Sequence, residues 1–272
     1  MNGQDVYGVT LVDDELFVLL YRDDNQIAVY NINDYKPLRH LHLPGLKPSI
    51  DNDMTSSVLN KCLYISDPIN CCVLRFVLSS KVSALKKLMT SKRISKWSVP
   101  GRPCGLSVTP AHNLLATCRG PTSKLVELST DSGQCVREIT LQSDIQYMWH
   151  AVQLTTGQFV ICHGGENQGL HRVCLVDAKG KVTLSYGGQP GSGIRQLDNR
   201  RHLAVDETLQ FIFVADWFNK RVVLLNPALE FVSKFSEELS DTRRLYFHHE
   251  TRRLYVDRRL IGGVAVISVI QL

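Results

Sequence analysis

In the stretch FIFVADWFNKRVVLLN, residues 211–226, Asp216, Asn219, Lys220 and Arg221 stand between two apolar runs. A carboxylate beside cations suits ligand binding or acid–base work. Catalysis also asks for a second carboxylate, a histidine or a nucleophile close by, and the spacing identifies none. Turn chemistry is the expected role: Asp216 accepts hydrogen bonds from backbone N–H groups of the turn, and Asn219 takes a positive φ. A second grouping, FVICHGGENQGLHRVCLVD, carries His163, Glu166, Asn167, His171 and Arg172 around its glycines. No helix follows, so this is not a phosphate loop. It reads as a protruding hairpin or as a long loop on a binding face.

The third grouping is basic and aromatic. Arg195, Arg200, Arg201, Lys220, Arg221, Arg243, Arg244, Arg258 and Arg259 fall in loops toward the C-terminal end, near Trp217 and Phe218. Single-stranded RNA sites pair phosphates with guanidinium groups and stack bases on aromatic rings. Protein hot spots use the same residue types. A solvated face of compensated charge is the plainest reading, with Asp198, Asp216, Glu237, Glu238 and Asp241 as the counter-charges. The net charge of +5 permits a polyanionic partner without demanding one.

The elements that position these residues must form a sizeable core, because hydrophobic residues are 44% of the chain and charged residues 21%. No stretch has the length and apolarity of a membrane span, and the first residues lack a basic region followed by an apolar one. Most of the eight cysteines sit inside apolar runs, where a reduced thiol behaves as a small hydrophobe. No CxxC pair occurs, so neither a structural zinc site nor a disulfide framework is expected. A cytoplasmic setting follows.

Self-similarity is the strongest signal. Apolar run, polar turn and second apolar run recur from Leu16, Leu63, Leu114, Phe159, Ile212 and Leu254. The period suits propeller blades. Another short apolar segment precedes each hairpin, and a fourth follows most of them: PLRHLHL, VSALKKLM, CVREITL, KVTLSYGG and FVSKFS. The expected fold is all-β, a six-bladed β-propeller of four antiparallel strands per blade in a single domain. Blade boundaries fall near 1–48, 49–100, 101–144, 145–199, 200–239 and 240–272. The last unit stops at its third strand. Its fourth is expected from Met1–Val6 or from sequence upstream of Met1.

The segment HLAVDETLQFIFVADWFNKRVVLLNPALEFVSKF resembles the NHL-repeat propellers found at the C-terminus of RING/B-box tripartite-motif proteins. It carries a strand ending in Asp216, then Asn219, then a basic residue, Arg221, entering the next strand. LYISDPINCCVLRF keeps Asp67 and Asn70 but has Cys71 and Cys72 in place of the basic residue, and the other units keep only the hydrophobic rhythm. The resemblance implies a recognition module without enzymatic activity, part of a larger protein, whose strand-two-to-three loops and inter-blade loops share one binding face. It implies a protein partner first and single-stranded RNA second, with no DNA, membrane or cofactor. The partner- or RNA-binding residues would be Arg195, Arg200, Arg201, Trp217, Phe218, Lys220, Arg221, Arg243, Arg244, Arg258 and Arg259.

Aligned blade by blade, His150 and His202 both fall at the entry to the innermost strand of adjacent units. Two imidazoles there could hold a metal, as in the peptide-amidating lyases that use a similar ring. The equivalent positions Gly8, Thr55, Gly105 and Arg244 offer no third ligand, so structural histidines are expected and no metal.

Overall fold

The computed structural model describes residues 5–21, 26–78, 93–164, 170–236, 239, 241–259 and 265–272. They form six antiparallel sheets in chain order. The first contains β1 (Asp5–Val12), β2 (Glu15–Tyr21), β3 (Gln26–Asn31) and β4 (Pro37–His42). The second contains β5 (Met54–Ser57), β6 (Cys62–Asp67), β7 (Cys72–Val77) and β8 (Ile94–Ser98). The third contains β9 (Arg102–Val108), β10 (Leu114–Arg119), β11 (Lys124–Leu128) and β12 (Cys135–Thr140). In the fourth lie β13 (Met148–Gln153), β14 (Phe159–His163), β15 (His171–Val176) and β16 (Val182–Gly188). In the fifth lie β17 (Arg200–Asp206), β18 (Phe211–Asp216), β19 (Arg221–Leu225) and β20 (Phe231–Phe235). The sixth has β21 (Leu245–His248), β22 (Arg253–Arg259) and β23 (Ala265–Gln271).

The innermost strands β1, β5, β9, β13, β17 and β21 neighbour one another in that order, and β21 returns to β1. The ring is a six-bladed β-propeller with no helix among the described residues.

The reason the second strand of each blade is almost wholly apolar lies in this ring. A strand's side chains alternate between its two faces, and here both faces are covered by neighbouring blades. In β6, Leu63 and Ile65 pack toward the first blade while Tyr64 packs toward the third. In β14, Phe159 and Ile161 face the third blade while Val160 and Cys162 face the fifth. In β18, Ile212 and Val214 face the fourth blade while Phe213 and Ala215 face the sixth. Tyr255 of β22 packs with Val9 and Val18 of the first blade and closes the circle. Burying one such side chain contributes about 1.5–3 kcal/mol, so each inter-blade layer holds the ring shut.

Two expectations change. The fourth strand of the second blade is Ile94–Ser98, whereas the segment VSALKKLM lies outside the described residues. Trp97 explains the difference: it turns inward against Tyr64 with ring centroids 5.7 Å apart, an anchor that segment does not offer. In the last blade, three strands are described, and Asp5 and Val6 are not its fourth. Both belong to β1, paired with Tyr21 and Leu20 inside the first blade.

Candidate functional site at the channel mouth

Second strands end at one rim of the ring, and what they end in differs from blade to blade. Asp67, Asp216 and Asp257 close or nearly close β6, β18 and β22, whereas Arg119 closes β10 and His163 closes β14. The aspartates tie turns together. Asp67 accepts from the backbone N–H of Asn70 at 3.0 Å and from its side-chain amide at 2.7 Å. Asp216 accepts from the N–H of Asp198 at 2.6 Å, the Asn219 amide at 2.8 Å and Arg221 Nε at 2.6 Å. Burial pushes the Asp216 carboxyl up from its ordinary value, and these donors oppose the shift. The positive φ of the turn falls one residue later than expected, at Lys220 (51°), with Cys71 its counterpart (48°). Asn219 is spent on Asp216 and on the Gly191 carbonyl.

Arg221, expected to reach a ligand, does not. It is 5% exposed and donates to Asp216 and to the carbonyls of Ser192, Gly193 and Gln196, which fixes the loop before β17. Arg244 is also buried, and it closes the ring. Its Nε donates to the Tyr7 carbonyl at 2.8 Å and its Nη2 to the Asn52 carbonyl at 2.5 Å, joining the last blade to the first two.

Arg244 also lies 3.4 Å from Asp53 Oδ1, at the centre of a buried cluster. His202 Nε2 is 3.4 Å from the same oxygen, and His150 Nε2 is 3.7 Å from Asp53 Oδ2. The two imidazoles stack at 3.8 Å between centroids. Gly105 permits this: a Cβ there would meet the Trp149 carbonyl at 2.4 Å and His150 Cα at 2.7 Å. Burial pushes the Asp53 carboxyl up, but His202, Arg244 and His150 outweigh it and hold it well below the carboxylate range. Burial, reinforced by His202, pulls His150 down to about 3, so it is neutral near pH 7.

Asp53, His150 and His202 offer one donor atom each within 4.8 Å of one another. Asp53 is the third group that the blade alignment missed, because it sits just before β5 rather than at the aligned Thr55. The same atoms also serve the protein: Arg244 pairs with the carboxylate, and His150 Nε2 lies 3.0 Å from the Leu106 carbonyl, so a cation bound here would compete with both contacts. Beside the cluster the central channel leaves a space of about 100 Å3 lined by His150, His202, Val9, Met54 and Phe247.

Above this cluster the basic residues are interleaved with indole rings. The guanidinium carbons of Arg119 and Arg201 lie 3.8 and 3.7 Å from the Trp149 ring centroid, which two such groups can only do from opposite faces. Arg201 also lies 4.5 Å from the Trp217 ring, and Arg243 packs on that ring at 4.4 Å. The order Arg119–Trp149–Arg201–Trp217–Arg243 runs across the third to sixth blades, a cation–π ladder. The indole N–H of Trp149 donates to the Gly164 carbonyl, and that of Trp217 donates to Asp241.

Of the expected binding residues, Arg201, Trp217 and Arg243 are in this ladder, and Phe218, 46% exposed, packs beside Trp217. Lys220 and Arg195 are exposed at the turn and in the preceding loop, while Arg258 is half-buried. The side chains of Arg200 and Arg259 lie outside the described residues. So do Glu166, Asn167, Glu237 and Glu238. Arg119 and Trp149 were missed, although aligning LLATCRG with FIFVADWF places Arg119 opposite Asp216. In the glycine-rich hairpin, His163 and His171 are buried, the latter accepting from the Asn199 N–H at 2.9 Å, and Arg172 pairs with Asp144.

No family model matches the chain, and no curated protein matches it. Solved structures do. A catalytically inactive virginiamycin B lyase from Staphylococcus aureus with quinupristin aligns at TM-score 0.63 and 14% identity, covering 98% of this chain and 84% of that one. Hydrazine synthase from Kuenenia stuttgartiensis aligns at TM-score 0.70 and 11% identity, covering 98% and 84%. The nidogen/laminin complex gives TM-score 0.68 and 12% identity, covering 90% and 85%. At these identities the likeness shows the propeller fold alone. It also corrects the expectation of a module without enzymatic activity, since enzymes share this architecture and the fold gives no ground for excluding catalysis.

Proposed function

We propose that the chain is a recognition module that docks a protein partner on the rim where Trp217 and Phe218 stand. The observation that carries this reading is the arginine–tryptophan ladder, a pre-ordered strip of the residue types that dominate interface energetics. Its rings and guanidinium groups are fixed by one another, so little side-chain entropy remains to be lost on binding. Membership of a larger tripartite-motif-like protein rests only on the Asp216, Asn219 and Arg221 pattern. A single-stranded RNA ligand has weaker support, because both faces of Trp149 are occupied and stacking needs an open face. Capture of partners from cell extract tests the proposal. Phe218→Ala and Arg243→Ala should each deplete the same captured protein while Lys234→Ala, on the outer strand β20, leaves it. Identical captured sets for all three variants would defeat it.

A second reading has its own observation. The Asp53–His202 pair borders the channel with His202 Nδ1 buried and without a hydrogen-bond partner, an arrangement that could orient an imidazole for proton transfer. Turnover of a lactone or ester panel that disappears in His202→Gln would support it. Its absence across such a panel would count against it.

A further inference from the structure

Arg201 is 9% exposed, yet among the described residues no carboxylate lies within 4.0 Å of its guanidinium, unlike its neighbours. Arg119 lies 3.4 Å from Asp51, which also serves Arg102 at 3.6 Å. Arg243 has Asp241 at 3.2 Å, and Arg244 has Asp53 at 3.4 Å. Several N–H groups of the ladder are also buried without a partner: Arg119 Nη2, Arg201 Nε and Arg243 Nε. A buried cation stacked between two rings, short of counter-charge and flanked by unsatisfied donors, is a poor resting arrangement unless something anionic completes it. The titration of Arg201 agrees. Burial, then the charges of Arg244, Arg243 and Arg119, pull it down to about 9 against the support of Asp51.

A groove adjoins the ladder at Arg119, on the far face of the Trp149 ring from Arg201. Arg102 and Arg119 line it between the third and fourth blades, with a volume of about 530 Å3, bounded by the turn at Gly120–Ser123 and by Gln142 and Tyr147. Its walls mix polar and apolar side chains, and Tyr147 stands 49% exposed at its edge. The volume is that of a site for a short peptide or a small ligand.

We propose that the cluster around Arg201 is an oxyanion site whose occupant is an acidic peptide segment, with one carboxylate or phosphoryl group at the ladder and the chain running outward along this groove. The proposal rests on the partner-docking reading and supplies its chemistry. Planar guanidinium forks suit both oxyanions. A peptide fits better than a nucleic acid because the two indole rings of the ladder, Trp149 and Trp217, are already stacked on arginines.

The test is anisotropy titration at low salt with three labelled probes: a glutamate-rich peptide, a serine-containing peptide with and without phosphorylation, and single-stranded RNA of matched charge. The expected result is binding of the glutamate-rich or the phosphorylated peptide, weakened at least tenfold in Arg201→Ala and unchanged in Lys234→Ala. Which of the two binds assigns carboxylate or phosphoryl. Arg201→Lys keeps the charge but loses the fork. It should weaken binding several-fold with an unchanged melting curve, and it carries the test should Arg201→Ala fail to fold. Binding of no peptide overturns the proposal, as does equal loss in Arg201→Ala and Lys234→Ala. RNA bound more tightly than either peptide, with the same dependence on Arg201, overturns the peptide occupant. A chain that captures a partner through Phe218 yet binds no peptide loses the oxyanion site and keeps the docking face.

Discussion

Arg201 and Arg221 belong to the same blade and are almost equally shut off from solvent, yet they are held in opposite ways. Arg221 spends its fork on one buried carboxylate and three backbone carbonyls. Arg201 has rings on its faces and no carboxylate within 4.0 Å among the described residues. The first arrangement is closed, since adding a ligand would break hydrogen bonds already made. The second is incomplete in charge and in hydrogen bonding. Burial therefore does not separate a structural arginine from a binding one, whereas the tally of what its N–H groups meet does.

The largest effect expected from this contrast is on folding. Arg221→Ala strands Asp216, which is fully buried and depends on that guanidinium, so it should cost about 3–5 kcal/mol in urea unfolding. Replacing both partners, Asp216→Asn with Arg221→Leu, should cost less than Arg221→Ala alone. Equal or additive losses would mean that the pair is not the unit described here. Arg201→Leu should move stability by no more than about 1 kcal/mol in either direction, because it removes a desolvated charge with no carboxylate partner. A loss as large as that of Arg221→Ala would erase the contrast.

The closed arrangement was legible in the sequence and the open one only in part. Asp216, Asn219 and Arg221 lie within one hairpin, so local spacing reveals their contacts. The apolar second strands were legible for a related reason. Both faces of β6, β14 and β18 are covered, and that leaves continuous hydrophobic runs. The ladder draws on four blades, and Asp53 meets His150, His202 and Arg244 from across the ring. No window of sequence holds such a site. Alignment of equivalent blade positions brought His150 and His202 together, but it passed over Asp53, which lies two residues before the compared position. Trp97 of β8 shows the other limit, since a strand anchored by one inward tryptophan competes poorly with the more apolar segment VSALKKLM in a pattern search.

A mid-sized effect should appear with pH. Asp257 is the sixth blade's counterpart of Asp216, accepting from the N–H groups of Arg243 and Arg244 at 2.6 and 2.5 Å. Burial pushes its carboxyl up to about 7, with those amides and the two arginine charges opposing. A carboxyl whose folded value lies above its unfolded one, about 3.9, favours the folded state most at low pH. That contribution declines as pH rises from about 4 to about 7 and is constant above. Each tenfold change in proton affinity is worth about 1.4 kcal/mol. His150, pulled down to about 3, has the opposite sign: its contribution is lost as pH falls below about 6.5. The stability difference between wild type and Asp257→Asn should therefore shift in favour of wild type as pH falls from 7 to 4. A difference that stays flat would show that Asp257 is ionised in the folded protein, paired with Arg243 and Arg244 as Asp216 is with Arg221.

The smallest effect on stability should come from the residue with the clearest outward face. Phe218 is 46% exposed, and its ring meets Trp217 at 4.8 Å in a tilted contact. Its backbone N–H, which donates to the Asp198 carbonyl at 3.1 Å, survives any side-chain change. Phe218→Ala should thus shift unfolding by no more than about 0.5 kcal/mol, the range of surface substitutions away from special features. A nearly stability-neutral ring beside a rigid ladder can be deleted without touching the fold, so any loss of partner capture in Phe218→Ala is a loss of contact. If instead Phe218→Ala costs as much stability as trimming a core residue, the ring is holding Trp217 in place. The ladder would then have to be described as part of the scaffold, with Arg201 as its one arginine that has no carboxylate within 4.0 Å among the described residues.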